Sequence, residues 1–308
     1  MINFRYHIVS LMAVFLALSV GIAVGVSLGP AVDQGLLRQA EQDRKQVTEL
    51  RNEINRRNAL QEYQRAYDEQ TAEPVLAGTL RDVRVALVSM PDAPGRVVTD
   101  LTAAVATAGG TVVSEVEIRP DAFDPARSEA LTEALAGLAD QVPLTADMTQ
   151  AEKVGAALAR SIASPQPENR DPLALALDTA LTRGGFVTIG GSADVQAQLV
   201  VVVGAEATDP PAEPELLAAH VQLDLALRDR AAVVVAGPNS GEIEGTDVLA
   251  VRTDPEGSRR LSTVDVADLS SGVVTTMLAG QEQLLGREGH HYGALARAEA
   301  PLPTLPVR

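Results

Sequence analysis

His290 and His291 stand side by side in "REGHHYG" (287–293), the one place where two imidazoles are spaced to meet the same metal ion. Neutral imidazole suits Cu(II) and Zn(II), so the pair predicts a weak contact with either. Softer coordination has little to draw on. The chain has no Cys, which removes thiolate ligands, thiol nucleophiles and disulfides, and Met1, Met12, Met90, Met148 and Met277 form no close pair for Cu(I).

Acid–base catalysis would have to use one of four histidines: His7, His220, His290 or His291. His7 falls at a membrane edge, and His220 falls inside an apolar helix, where a packed or surface role is expected. Three loops could serve a ligand: "SMPDAPG" (89–95), "IGGSAD" (189–194) and "AGPNSG" (236–241). None carries GxGxxG, a P-loop or a GxSxG elbow, and their Gly, Pro, Asn and Ser are ordinary turn formers. Carboxylates are too plentiful to mark a site. The expectation is a protein without catalytic residues and without a resident cofactor.

Those loops need strands to hold them. "VRVALVS" (83–89), "TVVSEVEI" (111–118), "FVTIG" (186–190), "LVVVVGA" (199–205) and "AAVVVAG" (231–237) read as strands, nearly all Val-rich and uniformly apolar. Helical patterns separate them at 95–108, 128–140, 149–163, 172–183 and 214–229, with a polar, Pro-rich connector "SPQPENRDP" before the fourth. Strand, helix, strand is the βαβ unit, and continuous apolar strands suit a sheet covered on both faces. The expected fold is an α/β ectodomain over 81–308 with a mostly parallel sheet, in one domain or two tight lobes. A transmembrane barrel needs longer, alternating strands with aromatic girdles, and after residue 80 only Phe123, Phe186 and Tyr292 are aromatic.

Ahead of this domain, Ile8 to Leu28 carry no charge, and as a helix they span about 31 Å, the thickness of a bilayer core. Segment 1–29 is therefore read as a short cytoplasmic stub and one transmembrane anchor. A cleaved export signal competes, but its apolar region usually runs only about 7 to 15 residues. Arg5 precedes the span and only Arg38 closely follows it, which orients the N-terminus inward and the bulk of the chain outside the inner membrane. Ala13, Ala17, Gly21, Gly25 and Gly29 form a small-residue stripe on which another helix could pack. Pro30 then predicts a bend or break.

Segment 30–73 mixes charges of both signs over a long helical pattern of roughly 60 Å. Leu36, Ala40, Val47, Leu50 and Ile54 share one heptad frame, and Leu60, Tyr63 and Tyr67 continue in a frame shifted by one. Asp43 and Arg57 interrupt the seam, so a coiled coil with a specific partner and a plain charge-laced helix both fit. "AEPVLAGTL" (72–80) brings Pro and Gly, and 74–80 is read as a hinge. The net charge of −16 lies almost wholly beyond residue 73 and argues against nucleic acid as a partner.

The start "MINFRYHIVSLMAVFLALSVGIAVG", together with "STVDVAD" (262–268), "GVVTTMLAGQEQLLG" (272–286) and "REGHHYG", resembles the actinobacterial MctB family of copper transporters and its SteB-like, division-associated members. The resemblance covers both ends and the layout of anchor, coiled coil and α/β domain. It implies two roles. In one, the chain is a membrane-anchored scaffold that engages a SteA-like membrane protein and a peptidoglycan hydrolase during cell separation. In the other, it is a copper transport or efflux component; copper is then the metal, and His290 and His291, singled out above by their adjacency, are the residues it would contact. The residues favour the scaffold, because one anchor forms no channel and copper ligands are few. An α/β module that senses a small envelope molecule is a third possibility.

Overall fold

The computed structural model describes residues 4–142, 144–145, 147–166, 169–191, 194–238, 244–286, 288–295 and 297–304, without the side chains of 4–5, 27–38, 40 and 41. Two compact units result, Met1–Gln64 and Arg65–Arg308.

Helix α1 (Phe4–Leu76) is 73 residues long and contains the whole expected anchor, the whole charged segment and the start of the expected hinge. It runs through Pro30 without the expected break. A proline removes one amide donor and strains one turn, and the helix continues on both sides of that single loss. The candidate membrane span within it is Tyr6–Val26, 21 residues with no part buried. Pro74 also stays helical, and the turn begins only at Ala77, with Gly78 at φ +77°. Packing explains the extension: Leu76 and Leu80 are almost fully buried in the core of the second unit.

The second unit continues with β1 (Arg84–Ser89), α2 (Gly95–Thr107) and β2 (Thr111–Ile118). Two 3-10 turns lead to α3 (Ser128–Ala134), then come α4 (Gln150–Ile162), α5 (Pro172–Arg183), β3 (Val187–Gly190) and β4 (Leu199–Val203). α6 (Pro214–Arg228), β5 (Ala232–Ala236), α7 (Asp247–Thr253), α8 (Gly257–Arg260), β6 (Ser262–Val264), α9 (Ser270–Leu284) and β7 (His291–Tyr292) complete it. The helix expected at 128–140 is cut short. Gly137 turns the chain at φ +77°, and only a 3-10 turn, Ala139–Gln141, follows.

The seven strands form one sheet in the order β3-β2-β1-β4-β5-β6-β7, and every pairing is parallel except β2 with β3. The mostly parallel α/β fold expected from the Val runs is therefore present. Alternate residues of each strand face opposite sides. Val200 and Val202 pack with Val233 and Val235 against Leu158, Leu223 and Leu227 on one face. Leu199, Val201 and Val203 pack with Leu101, Val105 and Met277 on the other. All five residues of β4 and of β5 are buried, each fully buried Val being worth about 1.5–3 kcal/mol.

Candidate functional site

In a parallel α/β sheet, ligands sit beyond the carboxyl ends of the strands, where the strand order reverses. Here the order reverses between β1 and β4. On the β2 side of that point, away from β4, the loop after β1, strand β2 and the end of β3 line a cleft of about 550 Å³, with Ser89, Met90, Asp92, Gly95, Glu115, Glu117, Thr188 and Gly190 in its wall. Two of the three loops picked out by sequence thus converge. Ser192 and Ala193 of the second loop, and positions 239–241 of the third, lie outside the described residues. The cleft offers three carboxylates and a thioether. No imidazole, hydroxyl–imidazole pair or basic side chain is among its described lining residues.

The vicinal histidines, read together as a possible chelate, have separate jobs. His291, in β7, is buried; its Nδ1 lies 3.0 Å from Thr263 Oγ1 and its Nε2 2.9 Å from Ser258 Oγ. Burial, then the neighbouring Arg252 charge, lowers its pKa to about 4. A neutral ring engaged at both nitrogens has no lone pair to give a metal unless this chain of hydrogen bonds opens. His290 is more accessible, with Nδ1 2.9 Å from Glu299 Oε2 and its ring 6.2 Å from that of Tyr292. Neighbouring strand residues point to opposite faces, so adjacency in sequence separates these rings. Among the described residues, no group of three or more His, Asp or Glu is arranged to hold a metal ion.

The His291 chain belongs to a larger buried network. Arg252 Nε donates to Thr263 Oγ1 at 2.8 Å, Nη1 to Asp265 Oδ2 at 2.8 Å and Nη2 to the Tyr292 carbonyl at 2.9 Å. Asp265 also accepts from the amides of Ala294 and Leu295 at 3.0 and 3.3 Å. Tyr292 donates its hydroxyl to Glu282 on α9. These bonds tie the C-terminal segment to β6 and α7.

A second buried cluster escaped the sequence reading. His220 Nδ1 lies 2.6 Å from Asp247 Oδ1, and Phe123 covers the imidazole at 4.3 Å between ring centres. Asp247 Oδ2 accepts from the Ala205 amide at 2.9 Å. One turn along α6, Asp224 is fully buried, and its carboxyl is pushed well above the ordinary carboxylate range by burial first and the Asp247 charge second. His220 Nε2 and both Asp224 oxygens have no hydrogen-bond partner among the described residues. The local signal was "HVQLD" (220–224), two polar residues at helical spacing on an apolar face. Asp247, 27 residues further on, carried none. Neither cluster completes a nucleophilic triad: His220 has a carboxylate and no hydroxyl on Nε2, while His291 has Ser258 but a hydroxyl, not a carboxylate, on Nδ1.

On α1, Val47, Leu50, Ile54, Leu60, Tyr63 and Tyr67 are all exposed. Ala13, Ala17, Gly21 and Gly25 are exposed too, and a Cβ added at Gly21 or Gly25 would meet nothing within 4 Å. The side chains of Leu36 and Ala40, and Gly29, lie outside the described residues. A coiled coil would require a second helix over the first row.

A family model described as "Copper transport outer membrane protein, MctB" matches residues 1–303. The chain belongs to the MctB family. Two relatives, the proteins called copper transporter MctB in Mycobacterium bovis and in Mycobacterium tuberculosis, are each 27% identical over 313 residues, covering 95% of this chain and 96% of theirs. The resemblance seen at the two ends therefore runs over nearly the whole of the MctB-family chain. The matched range takes in the apolar span, the long exposed helix and the α/β domain.

Proposed function

We propose that this MctB-family chain is a membrane-anchored, non-enzymatic component of copper transport in the cell envelope. One observation supports the reading above all: the family likeness extends from the first residue to residue 303, and the relatives are named as copper transporters over nearly their whole length. The residues alone favour a division scaffold, and the family likeness puts copper transport ahead of it. Copper is the cargo, not a structural ion.

The architecture supports a role other than conduction by a single copy. Among the described residues one helix, Tyr6–Val26, is long and apolar enough to cross a membrane, and one helix encloses no pore. The open seven-stranded sheet has helices packed on both faces, unlike the closed, lipid-facing sheet of a membrane barrel. In this reading the helix anchors the chain in the inner membrane with its N-terminus cytoplasmic, although the family's description names the outer membrane.

The experiment is cell-associated copper, measured by mass spectrometry after a copper challenge in a host deleted for this chain. Restoring the chain should return copper to the parental level. An unchanged copper content with the chain stably present would overturn the reading.

The exposed apolar row on α1 favours a second reading. In it, the helix forms a coiled coil with a SteA-like membrane partner and supports a peptidoglycan hydrolase in cell separation. Replacing Val47, Leu50 and Ile54 with Asp should abolish partner capture from crosslinked membranes and impair separation. Normal capture and separation by that variant would remove the second reading.

A further inference from the structure

A cleft of about 750 Å³ opens between the loop that follows β4, the first turns of α6, and α7. Its location follows from the topology: the loops after two adjacent parallel strands, β4 and β5, both contribute to it at the carboxyl edge of the sheet. That is where α/β folds place ligands, and the volume is that of a site for a small organic molecule.

The lining has two chemistries. Leu217, Val221, Leu249 and Ala250 make an apolar floor, with Pro rings on either side, while Glu213, Glu244 and Asp254 stand around it. Among the described lining residues there is no Lys, Arg or His. Glu213, at the N-cap of α6, makes no capping hydrogen bond and stands exposed in the cleft wall. Asp254, by contrast, is committed to the amides of Glu256 and Gly257 through Oδ1, at 3.0 and 2.7 Å. Arg297 reaches the rim only as far as Thr253 Oγ1, at 3.3 Å.

The two loops also meet closely beside the cleft. Gly245 sits at φ +82°, and a Cβ on it would lie 2.5 Å from Pro211 Cβ and 2.6 Å from the Ala212 amide nitrogen. Only glycine permits both that conformation and that approach, so the two loops are clasped backbone to backbone. Carboxylates beside a low-dielectric floor raise the local concentration of cations and repel anions.

We propose that this cleft binds a small organic cation with an apolar body, the floor taking the body and Glu213 with Glu244 taking the charge. Neither the copper-transport reading nor the helix-mediated scaffold assigns this surface a role. The occupant is a molecular cation, since three carboxylates around an apolar floor give a metal ion no converging set of ligands.

The test is calorimetric titration of the full-length chain in neutral detergent with benzyltriethylammonium, and with benzylsulfonate as an anion of similar body. Ala250→Trp fills the cleft, and the Glu213→Gln, Glu244→Gln double variant removes charge from two exposed side chains. Uptake by the detergent is common to every sample and cancels. The wild-type chain should bind the cation saturably and not the anion, and each variant should lose about tenfold or more in affinity. Thermal melting checks that the variants fold, and the exposed double variant decides alone if Ala250→Trp does not. No saturable binding of the cation, equal binding of the anion, equal affinity in Ala250→Trp, or unchanged affinity in the double Gln variant would each overturn the proposal.

Discussion

Arg252 Nη1 donates to Asp265 Oδ2 at 2.8 Å with both side chains wholly buried, and this ion pair joins α7 to the segment after β6. Burial lowers the Arg252 pKa, and the hydrogen bond and charge of Asp265 oppose that shift. The contact with Asp265 thus favours the charged guanidinium in a place that otherwise disfavours it.

Removing one partner should be far worse than removing both. Arg252→Met leaves the Asp265 carboxylate buried without its counter-charge, at a cost of about 3–5 kcal/mol, read as a lower urea midpoint. Arg252→Met with Asp265→Leu should recover a large part of that loss. Additive losses in the double variant would contradict the account.

Gly293 lies against the same carboxylate at φ +137°, and a Cβ there would overlap Asp265. Gly293→Ala should therefore cost at least about 1–3 kcal/mol from backbone strain, with further loss as Asp265 is displaced from the amides of Ala294 and Leu295. A double-mutant cycle with Arg252→Met should show strong coupling. Independent effects would mean that the two positions do not share one network.

His291 predicts acid sensitivity. Its folded pKa is depressed from 6.5 to about 4, so between those values the unfolded chain holds a proton that the folded chain does not. Stability contributed by the neutral ring is complete above pH 6.5 and is lost as pH falls toward 4. Chemical denaturation across this window should show a slope that His291→Gln flattens. An identical pH profile in wild type and variant would refute the assignment.

Asp224 acts with the opposite sign. Its raised pKa means that above about pH 4 the unfolded carboxyl gives up a proton that the folded one keeps, so stability falls as pH rises toward the folded pKa. Asp224→Asn should raise the melting temperature at pH 7 to 8 and have little effect near pH 3, where both states are neutral. A stabilisation that is independent of pH would point to packing, not ionisation.

Local patterns were legible in the sequence because they depend on neighbours along the chain. The uncharged stretch ending near Leu28, the charged helical segment beyond it, the Val run of β4 and the helices α4 and α5 all follow from residue type and spacing within about twenty positions. Even there, the helix runs through Pro30 and Pro74, since one missing amide donor does not outweigh the continuous helix around it or the burial of Leu76. Only the tertiary structure decided the rest. Adjacency suggested that His290 and His291 act together, yet the strand turned one inward to Thr263 and Ser258 and left the other near Glu299. The pairings of His220 with Asp247 and of Arg252 with Asp265 join residues 27 and 13 positions apart, and no local periodicity encodes them. The sheet brings such residues together when it buries its apolar faces, and burial then makes each polar group depend on the partner it finds there.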